Sequence, residues 1–232
     1  MTYNIRLGLQ EGLAPIARII KESRADIVAL QEVGRHWTHG PDGDTTTELS
    51  MMTGLEHAIY APAIHQELEG RKPAEYGHAL LSRWPVADHT IVSLPQLEDE
   101  SRLLLFSIIE SPVGLLKIIS THLSHRESDR PTQAAFLLER IEGWLGEDGP
   151  HLLMGDLNSP PTEEWMGRLQ EMMSDADKKA ERLTFPASEP NRRIDYLFVR
   201  GGRWGEVDVI EEVEASDHRP LVATWEPDEA SP

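Results

Sequence analysis

Cysteine is absent from the sequence, which excludes disulfides, thiolate metal sites and cysteine nucleophiles together and leaves the compartment open. Apolar runs stay far below the roughly 20 residues of a membrane-spanning helix. No charged start leads into an apolar stretch as in a signal peptide, so the expectation is a cytoplasmic protein with no transmembrane segment. There is no Gly/Ser linker, internal repeat or low-complexity block, and one domain over residues 1–232 is expected. Positive charge is scarce: 22 Lys and Arg stand against 40 Asp and Glu, a net charge of -18. Such a chain is poorly suited to holding long DNA by its phosphates. Arg192 with Arg193, or Arg126 with Arg130, could build a local basic groove, although pairs this short are usually solvated or salt-bridged. The acidity could equally reflect a salty habitat.

What is present suffices for a substantial core, with 39% apolar residues. "TYNIRLG" reads as the end of a strand that begins a residue or two after Met1. A strand there would usually have a longer lead-in, so it either continues upstream or is short. "LAPIARIIK" sets Leu13, Ile16, Ile19 and Ile20 on one helical stripe. "DIVALQEV" reads as a buried strand ending in Gln31 and Glu32. A short helix is expected from about Glu48 to Met52, with loops over Trp37–Asp44 and His65–Glu75. "YGHALLSRWP", "HTIVSLP", "RLLLFSIIES" and "GLLKIISTHLS" read as successive antiparallel neighbours. "PTQAAFLLERIEGWL" carries Phe136, Leu137, Ile141 and Trp144 at helical core spacing, and "TEEWMGRLQEMM" opens with Thr162 as an expected N-cap. "RRIDYLFVRG", "VDVIEEV" and "HRPLVATWEP" return to strands. The series predicts an α+β protein of two packed sheets covered by helices.

Polar residues recur where apolar segments stop. In "HLLMGDLNSPP", Asp156 and Asn158 lie two apart, so an extended chain aims both at one spot while Leu157 turns back to the core. A carboxylate and an amide sharing a point suit a hard cation or a polarised water, but Asp, Asn, Ser and Pro are also ordinary turn residues. Asn4 interrupts "TYNIR", Glu32 ends "VALQEV", His122 ends "IISTHL", Asp195 sits in "RIDYLF", and Asp217 and His218 lie in "ASDHRP". Singly, each has a structural explanation: a turn, a solvated strand end, a satisfied core histidine, an edge charge paired to arginine. Their joint occurrence in this order is hard to obtain by chance.

"TYNIR", "LQEV", "STHL", "GDLN", "RRIDYLF" and "SDHRP" together resemble the ordered motifs of the endonuclease/exonuclease/phosphatase superfamily, which includes deoxyribonuclease I, inositol polyphosphate 5-phosphatases and neutral sphingomyelinases. The resemblance runs from Tyr3 to about Val222. It implies a deoxyribonuclease I-like, four-layer α/β/β/α sandwich of two mixed sheets, with the active site at one edge, and a metal-dependent phosphoric ester hydrolase using Mg²⁺, for which Mn²⁺ can substitute. It also implies roles: Glu32 as the principal metal carboxylate with Asn4 and Asp217; Asp156 and Asn158 holding the attacking water and a phosphate oxygen; His218 as general base or phosphate-binding group oriented by Asp195; His122, and Arg102 at the start of "RLLLFSII", on the scissile phosphate. The physics agrees, since an anionic phosphoester needs its charge neutralised, Mg²⁺ prefers oxygen ligands, and histidine exchanges protons near neutral pH.

The motifs do not select a substrate. No basic insertion with interleaved aromatics is present, and the His65–Glu75 stretch carries Glu67, Glu69 and Glu75 beside Arg71 and Lys72, unlike a groove-widening loop. Trp37, Trp84 and Trp165 could stack on bases, although tryptophan is more often core. Where many relatives carry Asn, this chain has His78, read as a polar residue at a strand start rather than a substrate contact. The favoured expectation is a phosphodiesterase or phosphatase acting on a small molecule or lipid headgroup. The alternatives are a nuclease or DNA-end-processing enzyme, with nucleic acid as substrate, and a non-catalytic binding protein.

Overall fold

The computed structural model describes residues 1–146 and 148–228; residue 147 and residues 229–232, part of the expected domain span, lie outside it. Two six-stranded mixed sheets face each other. The first contains β1 (Thr2–Asn4), β2 (Ile27–Arg35), β3 (His57–Gln66), β4 (Ala74–Ser82), β11 (Arg203–Val209) and β12 (Leu221–Glu226), in the order β11-β12-β1-β2-β4-β3. The second contains β5 (Val86–Ser93), β6 (Leu103–Ser111), β7 (Gly114–His122), β8 (His151–Asp156), β9 (Ser174–Asp175) and β10 (Asp195–Arg200), in the order β5-β6-β7-β8-β10-β9.

Side-chain alternation divides the apolar residues among three layers. Helices α1 (Leu13–Ser23) and α2 (Thr45–Thr53) cover the first sheet, where Ile16, Ile20 and Leu49 pack on Tyr3, Val28, Leu30 and Leu81. Helices α3 (Arg130–Trp144) and α4 (Glu164–Met172) cover the second, where Leu137, Ile141, Met166 and Leu169 pack on Ile119, Leu153 and Phe198. Between the sheets lie Ala29, Leu80, Leu105, Ile118, Met154 and Leu197. The expected four-layer α/β/β/α sandwich is the observed one. Each fully buried Leu or Ile side chain gains roughly 2–3 kcal/mol on leaving water.

Some local expectations need correction. "YGHALLSRWP" and "HTIVSLP" are neighbours in sequence but not in a sheet: after β4 the chain crosses at Arg83–Pro85 to begin β5 in the opposite sheet, while β5, β6 and β7 do form an antiparallel run. Helix α2 begins at Thr45, because the Asp44 carboxylate accepts from the Thr47 amide and caps it. Thr162 does not cap α4. Glu163 holds that position in extended backbone, its carboxylate taken by Arg130 and the Trp165 indole, so the helix starts later. Strand β11 ends at Val209, short of the "IEEV" expected to extend it, and the β3–β4 hairpin pairs as far as Gln66 with Ala74.

Two parallel pairs, β1 with β2 and β7 with β8, bring carboxyl ends to one end of the sandwich. The site is built there.

Candidate active site

His122 ends β7, Asp156 ends β8 and Asp195 begins β10; the register pairs His122 with Asp156 and Asp156 with Asp195, so three polar side chains stand in one row across three strands. Gly155 lets the row close, since a Cβ there would lie 2.1 Å from the Thr121 carbonyl oxygen. Asn158 follows in left-handed backbone (φ 49°), its amide donating to Asp156 Oδ1 at 2.9 Å and its side-chain Nδ2 to the Leu123 carbonyl at 3.0 Å. Asn tolerates that conformation better than most residues.

The first sheet supplies Asn4 and Glu32. Val28 and Leu30 face the helices, and unbroken alternation would send Glu32 the same way. A β-bulge prevents this: between the pairs Leu30–Ala79 and Val33–Gly77, Gln31 and Glu32 oppose the single residue His78, and Glu32 takes φ 54°. Glu32 is thereby turned to Asn4, whose Nδ2 donates to Glu32 Oε1 at 2.9 Å and to Asp156 Oδ2 at 3.1 Å. Asn4 Oδ1 accepts from the Arg6 amide, which fixes the orientation of this bridge between the sheets.

The loop before β12 completes the cluster. Ser216 Oγ donates to the Asn4 carbonyl at 2.7 Å, tying the loop to β1. His218 places Nδ1 3.0 Å from Asp195 Oδ2 and Nε2 3.6 Å from Asp156 Oδ2, with the Phe185 ring packed on it. Thr184 Oγ1 donates to Asp195 Oδ2 at 2.6 Å. Asp217 stays at the rim, 31% exposed, with Oδ2 3.5 Å from Arg6 Nε.

Charge in this pocket is crowded. Burial and the neighbouring Asp195 push the Asp156 carboxyl up to about 7. Burial opposes a charge on His218, yet Asp195 and Asp156 outweigh it and hold the imidazolium up to about 10. Asp156 and His218 therefore each retain a proton more firmly than isolated side chains would. Glu32 is also raised, by burial against the opposing Asn4 hydrogen bond. His122 is held well below the ordinary imidazole range by burial and then by Arg102. Arg102 Nη1 lies 2.6 Å from His122 Nδ1, and a guanidinium cannot accept a hydrogen bond, so Nδ1 accepts, while Nε2 lies 3.0 Å from Asn158 Nδ2 and 3.3 Å from Asp156 Oδ2.

Of the residues singled out in the sequence, Asn4, Glu32, His122, Asp156, Asn158, Asp195 and His218 converge, with Asp217 beside them. Arg102 lies behind His122: its side chain is 4% exposed and its Nη2 is paired with Glu100 at 2.9 Å. His78 is buried at the same end, its ring centroid 6.2 Å from that of His122. Of the tryptophans, Trp37 reaches the rim against Tyr76, Trp165 is bound to Ser159 and Glu163, and Trp84 sits at the far end of β4. The basic groove does not assemble: Arg193 is buried between Asp175 and Asp177, Arg130 is paired with Glu163, and the exposed pair Arg126 and Arg192 lies beside Glu98 and Asp99 and over the Phe185 ring respectively. Sequence reading missed Thr184 and Glu100, which orient Asp195 and Arg102 from loops without any distinguishing pattern. It also missed Ser216, which sits inside the "SDH" already noted.

The donor set fits a hard divalent cation. Glu32, Asp156, Asp195 and Asp217 supply carboxylate oxygens, Asp195 Oδ1 is buried with no hydrogen-bond partner among the described residues, and Asp156, Asp195 and, when neutral, His218 place ligand atoms within 4.8 Å of one another.

The profile of the Endonuclease/Exonuclease/phosphatase family matches residues 1–218. A structure described as an endonuclease/exonuclease/phosphatase from Beutenbergia cavernae superposes with a TM-score of 0.79 at 22% identity, covering 99% of this chain and 71% of that one. The mannosyl-6-phosphatase Bt3783 of Bacteroides thetaiotaomicron superposes with a TM-score of 0.76 at 16% identity, covering 97% of each chain. The human Nocturnin catalytic domain with bound sulfate gives 0.69 at 18% identity, covering 97% of this chain and 93% of that one. A search of curated proteins by sequence gives no match.

Proposed function

The chain belongs to the endonuclease/exonuclease/phosphatase family, whose members are hydrolases of phosphoesters, and on that premise we propose that it is a Mg²⁺-dependent phosphoesterase, one domain over residues 1–232, acting on a small or lipid-derived phosphate ester. The observation that carries this reading is the meeting of Asn4, Glu32, Asp156 and His218 from separate strands and one loop at a single point.

Glu32 and Asp217 would hold the cation, with Asn4 keeping Glu32 in place. The bound ion would neutralise phosphate charge and polarise the phosphoryl oxygen. Asp156, with its carboxyl raised toward neutrality, is suited to orient and deprotonate the attacking water. His122, held through Nδ1 by Arg102, and Asn158, whose Nδ2 lies 3.0 Å from His122 Nε2, would together face a phosphate oxygen. His218, charged and anchored by Asp195, stabilises negative charge as it develops. Arg102 thus acts through His122. The preference for a small substrate rests on the net charge of -18 and on the absence of a basic groove among the described residues. The sugar-phosphate enzyme among the structural neighbours is in keeping with it.

The test compares an aryl phosphodiester, the matching monoester and a short DNA duplex, each with Mg²⁺, Mn²⁺ or chelator, and with Asp156→Ala as control. Cation-dependent cleavage of the small esters with the duplex intact is the expected result. Efficient duplex cleavage would overturn the substrate class. Hydrolysis that persists in chelator or in Asp156→Ala would overturn the mechanism.

A further inference from the structure

The chain carries 22 Lys and Arg against 40 Asp and Glu, so an arginine that stands at the site without a carboxylate partner calls for a reason. Among the described residues four arginines stack on aromatic rings: Arg35 on Tyr60, Arg140 on Phe136, Arg192 on Phe185 and Arg193 on Tyr196. Arg35 is neutralised by Asp44 and Glu75, and Arg193 by Asp175 and Asp177. Arg140 lies over a ring of its own helix, α3. Arg192 differs from all three. It is exposed, it stands three residues ahead of Asp195 at the site end, and it forms no ion pair among the described residues, not even with Glu189 of its own loop.

The place of Arg192 is fixed by its backbone. Phe185 N donates to the Arg192 carbonyl at 3.1 Å and Arg192 N to the Phe185 carbonyl at 2.9 Å, which closes the loop between them. That loop is held to the segment carrying Asp217 and His218. Ala187 N donates to the Asp217 carbonyl at 2.7 Å, Arg219 N to the Thr184 carbonyl at 2.8 Å, and Arg219 Nε to the Ala187 carbonyl at 2.7 Å. The centre of the Phe185 ring is thereby set 4.7 Å from that of the His218 imidazole and 4.4 Å from the Arg192 guanidinium carbon. One ring separates the histidine of the site from a cation at its rim.

Stacking occupies the face of a guanidinium and leaves its N–H donors free in the plane, the edge that matches a phosphate. An arginine already held on a ring also loses less freedom when it binds an anion. We propose that Arg192 is a specificity-determining residue that receives a second phosphate of the substrate, so that the substrate class is a small phosphate ester carrying another phosphate group. This rests on the phosphoesterase reading for the scissile group. The net charge of -18 repels such a ligand over most of the surface, and Arg192 supplies the local attraction beside the site.

The test is isothermal titration calorimetry, with Mg²⁺ present, of propane-1,3-diol bisphosphate and of propyl phosphate. The proteins are the full chain, Arg192→Gln, Phe185→Leu, and Arg126→Gln as a control for net charge, Arg126 being exposed beside Glu98 and Asp99. The unaltered chain is expected to bind the bisphosphate about tenfold or more tightly than the monophosphate. Arg192→Gln brings that ratio near one, Phe185→Leu lowers it in part, and Arg126→Gln keeps it. A ratio near one in the unaltered chain, or a preference that survives Arg192→Gln, overturns the proposal. Hydrolysis of 4-nitrophenyl propyl phosphate is followed in parallel. A chain that hydrolyses no ester yet keeps the Arg192-dependent ratio loses the phosphoesterase reading and retains the second phosphate site.

Discussion

The two ends of the sandwich are made by the same strands with the same alternation, and they are built in opposite ways. At the site end the inward positions of β1, β7 and β8 are Asn4, His122 and Asp156, each held by two or more polar neighbours. At the far end the corresponding positions of β7 and β8 are Leu116 and Leu152, and they line an open apolar cavity. The site end therefore carries charge and backbone strain without loss of structure, because the apolar layer beneath it is closed. At the far end charge stays at the rim, where Asp26 pairs with the exposed Arg83 and Arg24 takes left-handed backbone outside the apolar layer, while Leu116 and Leu152 remain buried beside the cavity.

Replacing a site carboxylate is the strongest way to break this contrast. Asp156→Ala should lower turnover by about 10³-fold or more while Tm stays the same or rises, since the change relieves crowding with Asp195. A steep fall in Tm measured by calorimetry would show instead that the carboxylate holds the two sheets together. A smaller effect is expected on the other side of the site. Glu32→Gln keeps the shape and the Asn4 contact but removes a charge, so the Mg²⁺ concentration for half-maximal activity should rise by roughly tenfold or more. An unchanged Mg²⁺ titration would remove Glu32 from the cation's ligands.

The site end was more legible than the far end for a physical reason. Polar residues at the close of apolar runs, such as Asp156 after "LLMG" and His122 after "IIST", stand out because burial has to be compensated there. The conformations that aim them did not show. Nothing in "VALQEV" announces that Glu32 takes left-handed backbone in a bulge, since no glycine marks it and the partner strand decides the register. The crossing from β4 to β5 was hidden for a similar reason: local pattern identifies strands, whereas the choice of sheet depends on which face the whole layer buries. Thr162 failed as a cap because Arg130 and Trp165, one of them far away in sequence, fix Glu163. At the far end, the cavity beside Leu116 and Leu152 takes its lining from both sheets, so no local stretch of sequence could show it.

The contrast can be sharpened within the site end by comparing His78, which is buried, with His65, which is exposed on the β3–β4 hairpin. Burial, and then the Arg102 cation, push His78 down to about 3. Its folded value lies below its unfolded one near 6.5, so the unfolded chain binds the extra proton, and His78 costs stability as pH falls from about 6.5 toward 3. His78→Gln should remove that part of the acid sensitivity, on the order of a few kcal/mol at most. His65 is displaced the other way, raised by hydrogen bonds to Glu67 and then to Glu75. Its contribution is fully present below the unfolded value and fades as pH rises through the folded one. A ring-proton NMR titration from pH 4 to 8 should show His65 titrating above its ordinary value, moving back down in Glu67→Gln, and His78 not titrating at all. A His78 resonance that titrated near 6.5 would mean that water reaches the layer between the sheets, and the closed base on which the strained site depends would not exist.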